Sequence, residues 1–591
     1  MACAQHALCD EWLQAVRIKS SGQAASKFVD ICPFCSVHLP LTSHCGSGLE
    51  SVYKRNMKRN EVIRSTGIVG GFTLWSRVLG LIRDVLMASL FGTSLAMSGF
   101  VVAFTIPNLF RRLFGEGALS AAFVPVYVAV REREGGEAAW MLARRVISVV
   151  ALFLGIVVLA GIVGISIYLS RWQPLGQAQV ILPLLRIMLP YTVFICIAAL
   201  YMGLLNAHQH FAVSAFAPSL LNVVWIATIL LICPLMGDST EEQIFAVAWG
   251  VLLAGVFQWG VQIPKLKQYG YRIGWCLDLR DAAVRRVFRL MGPASLGMAI
   301  TQINVLVDRL MASWIGPWAP AALFFSERLI YFPQGIFATA LSTVLLPVFS
   351  RQATLVNHRE MLSTINHSLR NLFYVMVPAA VGLFVLARPI VRMIFERGEF
   401  TETSTTFTAI ALMFYAPGLL VFGLSKVLVP AFYALQDPRT PVKVAFGCVL
   451  LKIGLSILFI WTWPLHVKHA GLALATVIGE TVNGVVLAWL LHRRLGSPDW
   501  RAIGLSAIRC GLAAAAMGVA AWFLYGALYN GLLAQELPDM VIDIGSVLGS
   551  IALVVPLYVL LTWGLRAPEI IDVVGALRAR FTGTSGNGRT S

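Results

Sequence analysis

Charge is scarce in this sequence: only 13% of its 591 residues are Asp, Glu, Lys or Arg, against about a quarter in soluble domains. With 58% hydrophobic residues and a mean hydropathy of +0.76, that deficit excludes a soluble globular protein. Acidic residues are the scarcer sign, 29 against 46 basic, for a net charge of +17. The basic residues are dispersed in short segments between apolar runs, not gathered in a soluble domain, so membrane topology explains them better than a nucleic-acid partner. No histidine cluster is present, and no loop is long enough to host a catalytic domain. An enzyme would need a nucleophile or base with a second acid, or a metal held by carboxylates, so the residues favour a transporter. Cysteines give no disulfide framework: Cys196, Cys233, Cys276, Cys448 and Cys510 are scattered singly and read as small core residues.

Residues 1–56 differ from the rest. They hold Cys3, Cys9, Cys32, Cys35 and Cys45 but lack the apolar run and cleavage pattern of a signal peptide. Cys32-Pro-Phe-Cys35 with His38 and His44 offers four candidate zinc ligands, but the spacing does not repeat a known finger. Neither a metal nor any other cofactor is expected. The stretch reads as a disordered Cys-rich tail, or as sequence upstream of a true start at Met57.

What the sequence has in quantity is long apolar runs, each sufficient to cross about 30 Å of hydrocarbon as a helix. Fourteen are expected, near 66–92, 97–129, 146–169, 179–205, 214–236, 243–264, 287–315, 319–350, 366–394, 404–436, 440–463, 469–492, 503–529 and 541–565. Loops after even-numbered spans, with the first few residues of the next span included, carry nineteen Lys and Arg, and those after odd-numbered spans carry three. That bias places both termini and the even loops in the cytoplasm. The 50 Gly and 26 Pro imply kinked or broken spans, tolerated where a neighbouring helix or wet cavity satisfies the freed backbone.

An internal repeat divides the chain. Asp84-Val-Leu-Met-Ala-Ser-Leu-Phe-Gly92 returns as Asp308-Arg-Leu-Met-Ala-Ser-Trp-Ile-Gly316, six identities in nine, at an offset of 224. Ala118-Leu-Ser-Ala-Ala-Phe-Val-Pro-Val126 returns as Ala340-Leu-Ser-Thr-Val-Leu-Leu-Pro-Val348 at 222. A repeat of six spans enters the membrane from one face, giving two parallel halves of the kind that rock around a central site. The expected fold is an all-α polytopic membrane protein of 14 transmembrane helices: two parallel six-helix repeats plus two extra C-terminal helices. Its expected divisions are 57–266, the N-terminal lobe; 267–289, a basic cytoplasmic linker; 290–494, the C-terminal lobe; 495–566, helices 13 and 14; and 567–591, a cytoplasmic tail.

Ionisable groups inside spans are costly and usually face a cavity. The first span holds Arg77, Arg83 and Asp84, the second Arg111, Arg112 and Glu116, and the eighth Glu327 and Arg328. Arg112, Arg388 and Arg392 are read as snorkelling or structural residues. Four arginines directed at one cavity (Arg77, Arg83, Arg111 and Arg328) imply an anionic substrate with phosphate or pyrophosphate, which guanidinium binds through a planar fork. Asp84 is expected to pair with an arginine, and Glu116 and Glu327 to hold the arginines beside them.

The ordered motifs Ser76-Arg77-Val-Leu-Gly80-Leu-Ile-Arg83-Asp84, Pro107-Asn108-Leu-Phe-Arg111-Arg112-Leu-Phe-Gly-Glu116, Glu327-Arg328-Leu-Ile-Tyr-Phe-Pro333-Gln-Gly335 and Phe432-Tyr433-Ala-Leu-Gln436-Asp437-Pro-Arg-Thr440-Pro441-Val-Lys443 resemble the MurJ/MviN lipid II flippase family, within the multidrug/oligosaccharidyl-lipid/polysaccharide exporter superfamily. The resemblance covers about residues 57–566. It implies a bacterial inner-membrane protein that moves undecaprenyl-pyrophosphate-linked disaccharide-pentapeptide from the inner to the outer leaflet for peptidoglycan synthesis. Its partners would be that lipid II substrate, membrane lipids and the cell-wall synthesis machinery. An exporter of another polyprenyl-pyrophosphate-linked glycan is the alternative. The family's cavity arginines fall on Arg77, Arg83, Arg111 and Arg328. The sequence departs from its pattern in two places. Ser98 stands where members commonly carry an Asp, so it can hydrogen-bond but cannot salt-bridge an arginine. Lys452 and Ser456 stand where sodium-coupled members place an Asn-x-x-x-Asp pattern opposite the residue equivalent to Asp308, which implies that the Lys452 ammonium replaces the cation.

Overall fold

Hydrocarbon offers the backbone no hydrogen-bond partners, so each apolar run must satisfy its own amides and carbonyls as a helix. The computed structural model accordingly shows helices and no strand among its described residues, which are 59–115, 118–172, 174–355, 357–496 and 499–570. The cysteine-rich segment, its candidate zinc ligands and Glu116 lie outside them.

The first half contains α1 (Arg59–Phe91), α2 (Leu95–Phe110), α3 (Ala118–Glu134), α4 (Gly136–Arg171), α5 (Ala178–Met188), α6 (Tyr191–Ala207), α7 (Phe211–Ala227), α8 (Thr240–Gly260) and α9 (Ile263–Gln268). The second contains α10 (Ala282–Ile315), α11 (Ala319–Pro333), α12 (Thr339–Thr354), α13 (His358–Val385), α14 (Ala387–Phe395), α15 (Glu402–Tyr415), α16 (Gly418–Ala434), α17 (Arg439–Thr462) and α18 (Lys468–Leu495), followed by α19 (Trp500–Leu533) and α20 (Asp539–Gly564). Among the described residues, nine helical stretches are long and apolar enough to cross a membrane, and two bent pairs, α5–α6 and α15–α16, also qualify when each is taken as one span. Every one of the fourteen expected spans coincides with helix over its described residues. This is a multi-pass membrane protein. Exposed Phe153, Ile156 and Leu159 on α4 are then turned to acyl chains rather than water.

The two halves repeat each other in backbone detail. A π-helical turn at Arg111–Gly115 after α2 is matched by one at Gln334–Ala338 after α11, an offset of 223. The bend between Met188 and Tyr191 is 42°, and that between Tyr415 and Gly418 is 46°. Gln209 and Gln436, each closing the helix that follows a bend, both adopt a left-handed φ, 58° and 57°. The bends and these caps share an offset of 227. Pro190 and Pro417 sit at the bends because proline lacks the amide that would continue the helical ladder.

Polar side chains start the helices. Ser94 caps α2, Ser239 caps α8, Asn357 caps α13 and Asp499 caps α19 by accepting backbone amides. Asp281 caps α10 and also pairs with Arg145 of α4, so α10 begins at Ala282, inside the segment expected as linker. The preceding stretch docks on α4 through Cys276, whose amide donates to Ser148 Oγ at 3.0 Å. All five described cysteines are free. Helices α19 and α20 pack on each other and α19 on α13. Two buried or half-buried ion pairs fasten them: Arg370–Glu569 at 2.6 Å and Arg392–Asp543 at 3.2 Å.

Candidate functional site

Each half opens with a helix carrying a carboxylate, buried Asp84 on α1 and half-buried Asp308 on α10, and each carboxylate is met from the fifth span of its own half. In the first half the bridge is indirect. Arg83, 7% exposed, donates to Asp84 Oδ1 from Nη2 at 2.6 Å and from Nε at 3.0 Å. Its other terminal nitrogen donates to Asn222 Oδ1 of α7 at 2.9 Å, and Asn222 in turn donates to the Ser76 carbonyl at 2.9 Å. The Arg83 guanidinium lies 4.5 Å from the Trp225 ring centroid, so an aromatic face covers the side not used for hydrogen bonding.

Arg328 approaches the same carboxylate from the second half. Its Nε lies 3.2 Å from Asp84 Oδ2 without the alignment of a hydrogen bond, and its guanidinium stacks 4.5 Å from Phe324. Two arginines from opposite halves therefore share one acid. Arg77, two turns before Asp84 on α1, reaches the π-helical turn of the second half and donates to the Gly335 carbonyl at 3.4 Å. Arg111 sits on the matching turn of the first half and donates from Nε to Asn108 Oδ1 at 2.9 Å. The structure thus brings Arg83 and Arg328 together at Asp84 and Arg77 to Gly335, all three at the junction of the halves, while Arg111 is held by its own turn.

Glu327 does not hold Arg328, contrary to the sequence expectation. It is paired with Arg309, a 4%-exposed arginine of α10 that sequence reasoning passed over, and accepts from Tyr415 Oη at 3.2 Å. Residues 327 and 328 are 100° apart on α11, so when Arg328 turns to the junction Glu327 turns into the second half. Lys452 of α17, 3% exposed, donates through Nζ to Asp308 Oδ2. Ser456, one turn along, is fully buried. A cavity of about 390 Å³ opens beside these pairs, with Asp308, Glu327, Tyr415, Lys426, Lys452 and Glu480 among its lining residues.

The halves also meet at one end of the bundle. Ser98 Oγ, near the start of α2, accepts the Ala321 amide at the start of α11 at 3.2 Å. Gln177 donates to the Ser313 carbonyl at 2.8 Å, and Thr93 and Ser404 hydroxyls are 2.8 Å apart. Ser98 thus serves as an acceptor for a main-chain amide of the other half.

A family model described as lipid II flippase MurJ matches residues 87–541. A Burkholderia cenocepacia protein named lipid II flippase MurJ is 35% identical over 488 residues, covering 80% of this chain and 93% of its own length. A solved structure of lipid II flippase MurJ in an inward closed conformation superposes with a TM-score of 0.68 at 24% identity, over 86% of this chain and 99% of that one. An inward-facing MATE transporter of the MOP superfamily superposes with a TM-score of 0.60 at 14% identity, over 71% and 94%; both likenesses concern the fold. With most of its length matched by the family model and by a relative at this identity, the chain belongs to the MurJ family of lipid II flippases, which are membrane transporters.

Proposed function

We propose that this protein carries lipid II from the inner to the outer leaflet of the cytoplasmic membrane by alternating access, with Arg77, Arg83, Arg111 and Arg328 holding the pyrophosphate. The observation that carries this reading is the approach of Arg83 and Arg328, from opposite halves, to the single carboxylate of Asp84. Two guanidinium groups against one acid leave an excess of positive charge, and their forked donors suit phosphate oxygens. The nineteen-to-three bias of basic residues supports cytoplasmic termini and even loops, so the joined end of the bundle faces away from the cytoplasm. The halves that move are 57–266 and 290–494, connected by the basic linker 267–289. The helices of 495–566 travel with the second half through Arg392–Asp543 and through Glu569, which follows them and binds both Arg370 and Ser506, and the flipped precursor passes to the cell-wall synthesis machinery. Lys452 stands in permanently for a cation beside Asp308 and Ser456, which makes the second half independent of sodium.

The test is complementation of a strain depleted of its lipid II flippase, scored by lipid II exposure at the outer leaflet. The unmodified chain restores exposure. Alanine at Arg77, Arg83, Arg111 or Arg328 abolishes it at normal protein level, and lysine rescues only in part. Full activity of two or more alanine variants overturns the assignment.

A further inference from the structure

The joined end contains one contact made by main chain against main chain. Helix α1 ends at Phe91, which leaves the carbonyls of its last turn without intrahelical donors. The Ser89 carbonyl is satisfied from the other half: the Glu399 amide, in the loop between α14 and α15, donates to it at 2.8 Å. The two strands of chain come this close because a glycine stands on each side. Gly92 has φ +53°, and a Cβ there would lie 2.2 Å from the Glu399 carbonyl oxygen. Gly398 has φ +58°, and a Cβ there would lie 2.3 Å from the Ser89 carbonyl oxygen. Both obstacles are main-chain atoms, so no side chain can swing aside to make room. Phe91 and Phe400, the neighbours of this contact, are buried.

We propose that Gly92 and Gly398 are the steric key of the seal between the halves: this end of the protein shuts only because neither position carries a Cβ. The seal is one of the two closures that the alternating-access reading requires, and the inference rests on that reading. Adding a methyl group at either glycine holds this end apart and shifts the population toward the state open there. Gly176, in the loop before α5, separates contact from backbone preference. Its φ is +60°, almost that of Gly92, and a Cβ there meets nothing within 4 Å.

The reporter is a cysteine pair, Thr93→Cys with Ser404→Cys, at positions whose hydroxyls are 2.8 Å apart, close enough for a disulfide in the closed state. The full-length protein in membranes is oxidised, and the crosslinked peptide pair is quantified by mass spectrometry with no lipid II added. The pair crosslinks in the parent. Gly92→Ala and Gly398→Ala each lower the yield by about tenfold or more, and Gly176→Ala leaves it unchanged. Parental yield in the Gly92 and Gly398 variants overturns the proposal, as does an equal loss in Gly176→Ala, which would assign the effect to backbone strain. Because the two glycines test one contact from opposite halves, poor insertion of one variant leaves the other decisive, and failure of both to accumulate counts against a gating role. Failure of the parent to complement would sink the flippase assignment while leaving the crosslinking result intact.

Discussion

Arg309 and Glu327 neutralise each other inside the second half, with Tyr415 donating to the remaining carboxylate oxygen. Removing one charge leaves the other buried without its partner, whereas replacing both with apolar residues of similar volume does not. Glu327→Gln should therefore lower stability by about 3–5 kcal/mol, measured as a fall in thermal midpoint in detergent, and Arg309→Met with Glu327→Leu should recover most of it. Equal melting of the single and double variants would show that the pair does not hold the half together. The same reasoning applies to Lys452 and Asp308, with a functional readout. Lys452→Asn should impair lipid II exposure, Asp308→Asn in addition should restore it, and replacing sodium with potassium should leave the unmodified protein unaffected. Additive damage in the double variant, or strong sodium dependence, removes the idea that the ammonium replaces a cation. Asp308, Lys452 and the junction arginines were legible in the sequence because a charge inside an apolar run stands out. Arg309 carries that signal too, but its partner Glu327 sits on the next helix, and the pairing shows only once α10 and α11 are packed together. Asn222 was missed because a neutral amide in a span gives no such signal until its contacts with Arg83 and Ser76 are visible.

Among the elements, the loop after α16 shows how a short motif fixes a helix start. Asp437 accepts from the Thr440 hydroxyl at 2.6 Å, the Thr440 amide at 3.1 Å and Arg494 at 2.5 Å. The Thr440 hydroxyl first, and then its amide and Arg494, hold the Asp437 carboxyl below the usual aspartate range. A lowered value means that the contribution is present above the unfolded value of about 3.9 and is lost as pH falls through the folded one. Asp437→Ala should cost about 1 kcal/mol, the scale of a lost cap, with the difference between variant and parent melting temperatures constant near neutrality and shrinking in acid. A difference that persists unchanged below the folded value would exclude the carboxylate as its cause. Element positions were largely readable, since apolar length and cap residues are local properties. The repeat was readable at offsets of 224 and 222, where side chains are shared. It was not readable at 227, where the halves share a bend and a left-handed glutamine cap but few neighbouring residues. Backbone geometry there is kept by single positions, Pro190 with Pro417 and Gln209 with Gln436, within sequences that otherwise differ.

At the scale of the molecule, the junction arginines tie the two halves together through side chains, and the joined end ties them through main chain and hydroxyls. Both sets are made together in this structure, and a rocking motion that opens the joined end has to break the junction as well, because Asp84 cannot keep both Arg83 and Arg328 once the halves separate around it. The loops after odd-numbered spans carry the joined end, and the junction lies deeper, within the spans. Cysteines placed beside Arg111 and Arg328 should therefore react with an impermeant thiol reagent from the cytoplasmic face while the Thr93–Ser404 end is crosslinked, and from the opposite face only when that end is free. Under the alternating-access reading, labelling from the two faces is mutually exclusive within one molecule. The measurement uses inside-out vesicles and intact spheroplasts, each with and without the crosslink, and compares the fraction labelled from each side. If crosslinking the end leaves outer-face labelling unchanged, the two sites are not alternately exposed, and a continuous path or a one-sided groove must replace rocking about Asp84. If outer-face labelling falls and cytoplasmic labelling rises together, the closed end and the junction belong to one two-state equilibrium whose balance substrate binding can shift only by its differential affinity for the two states.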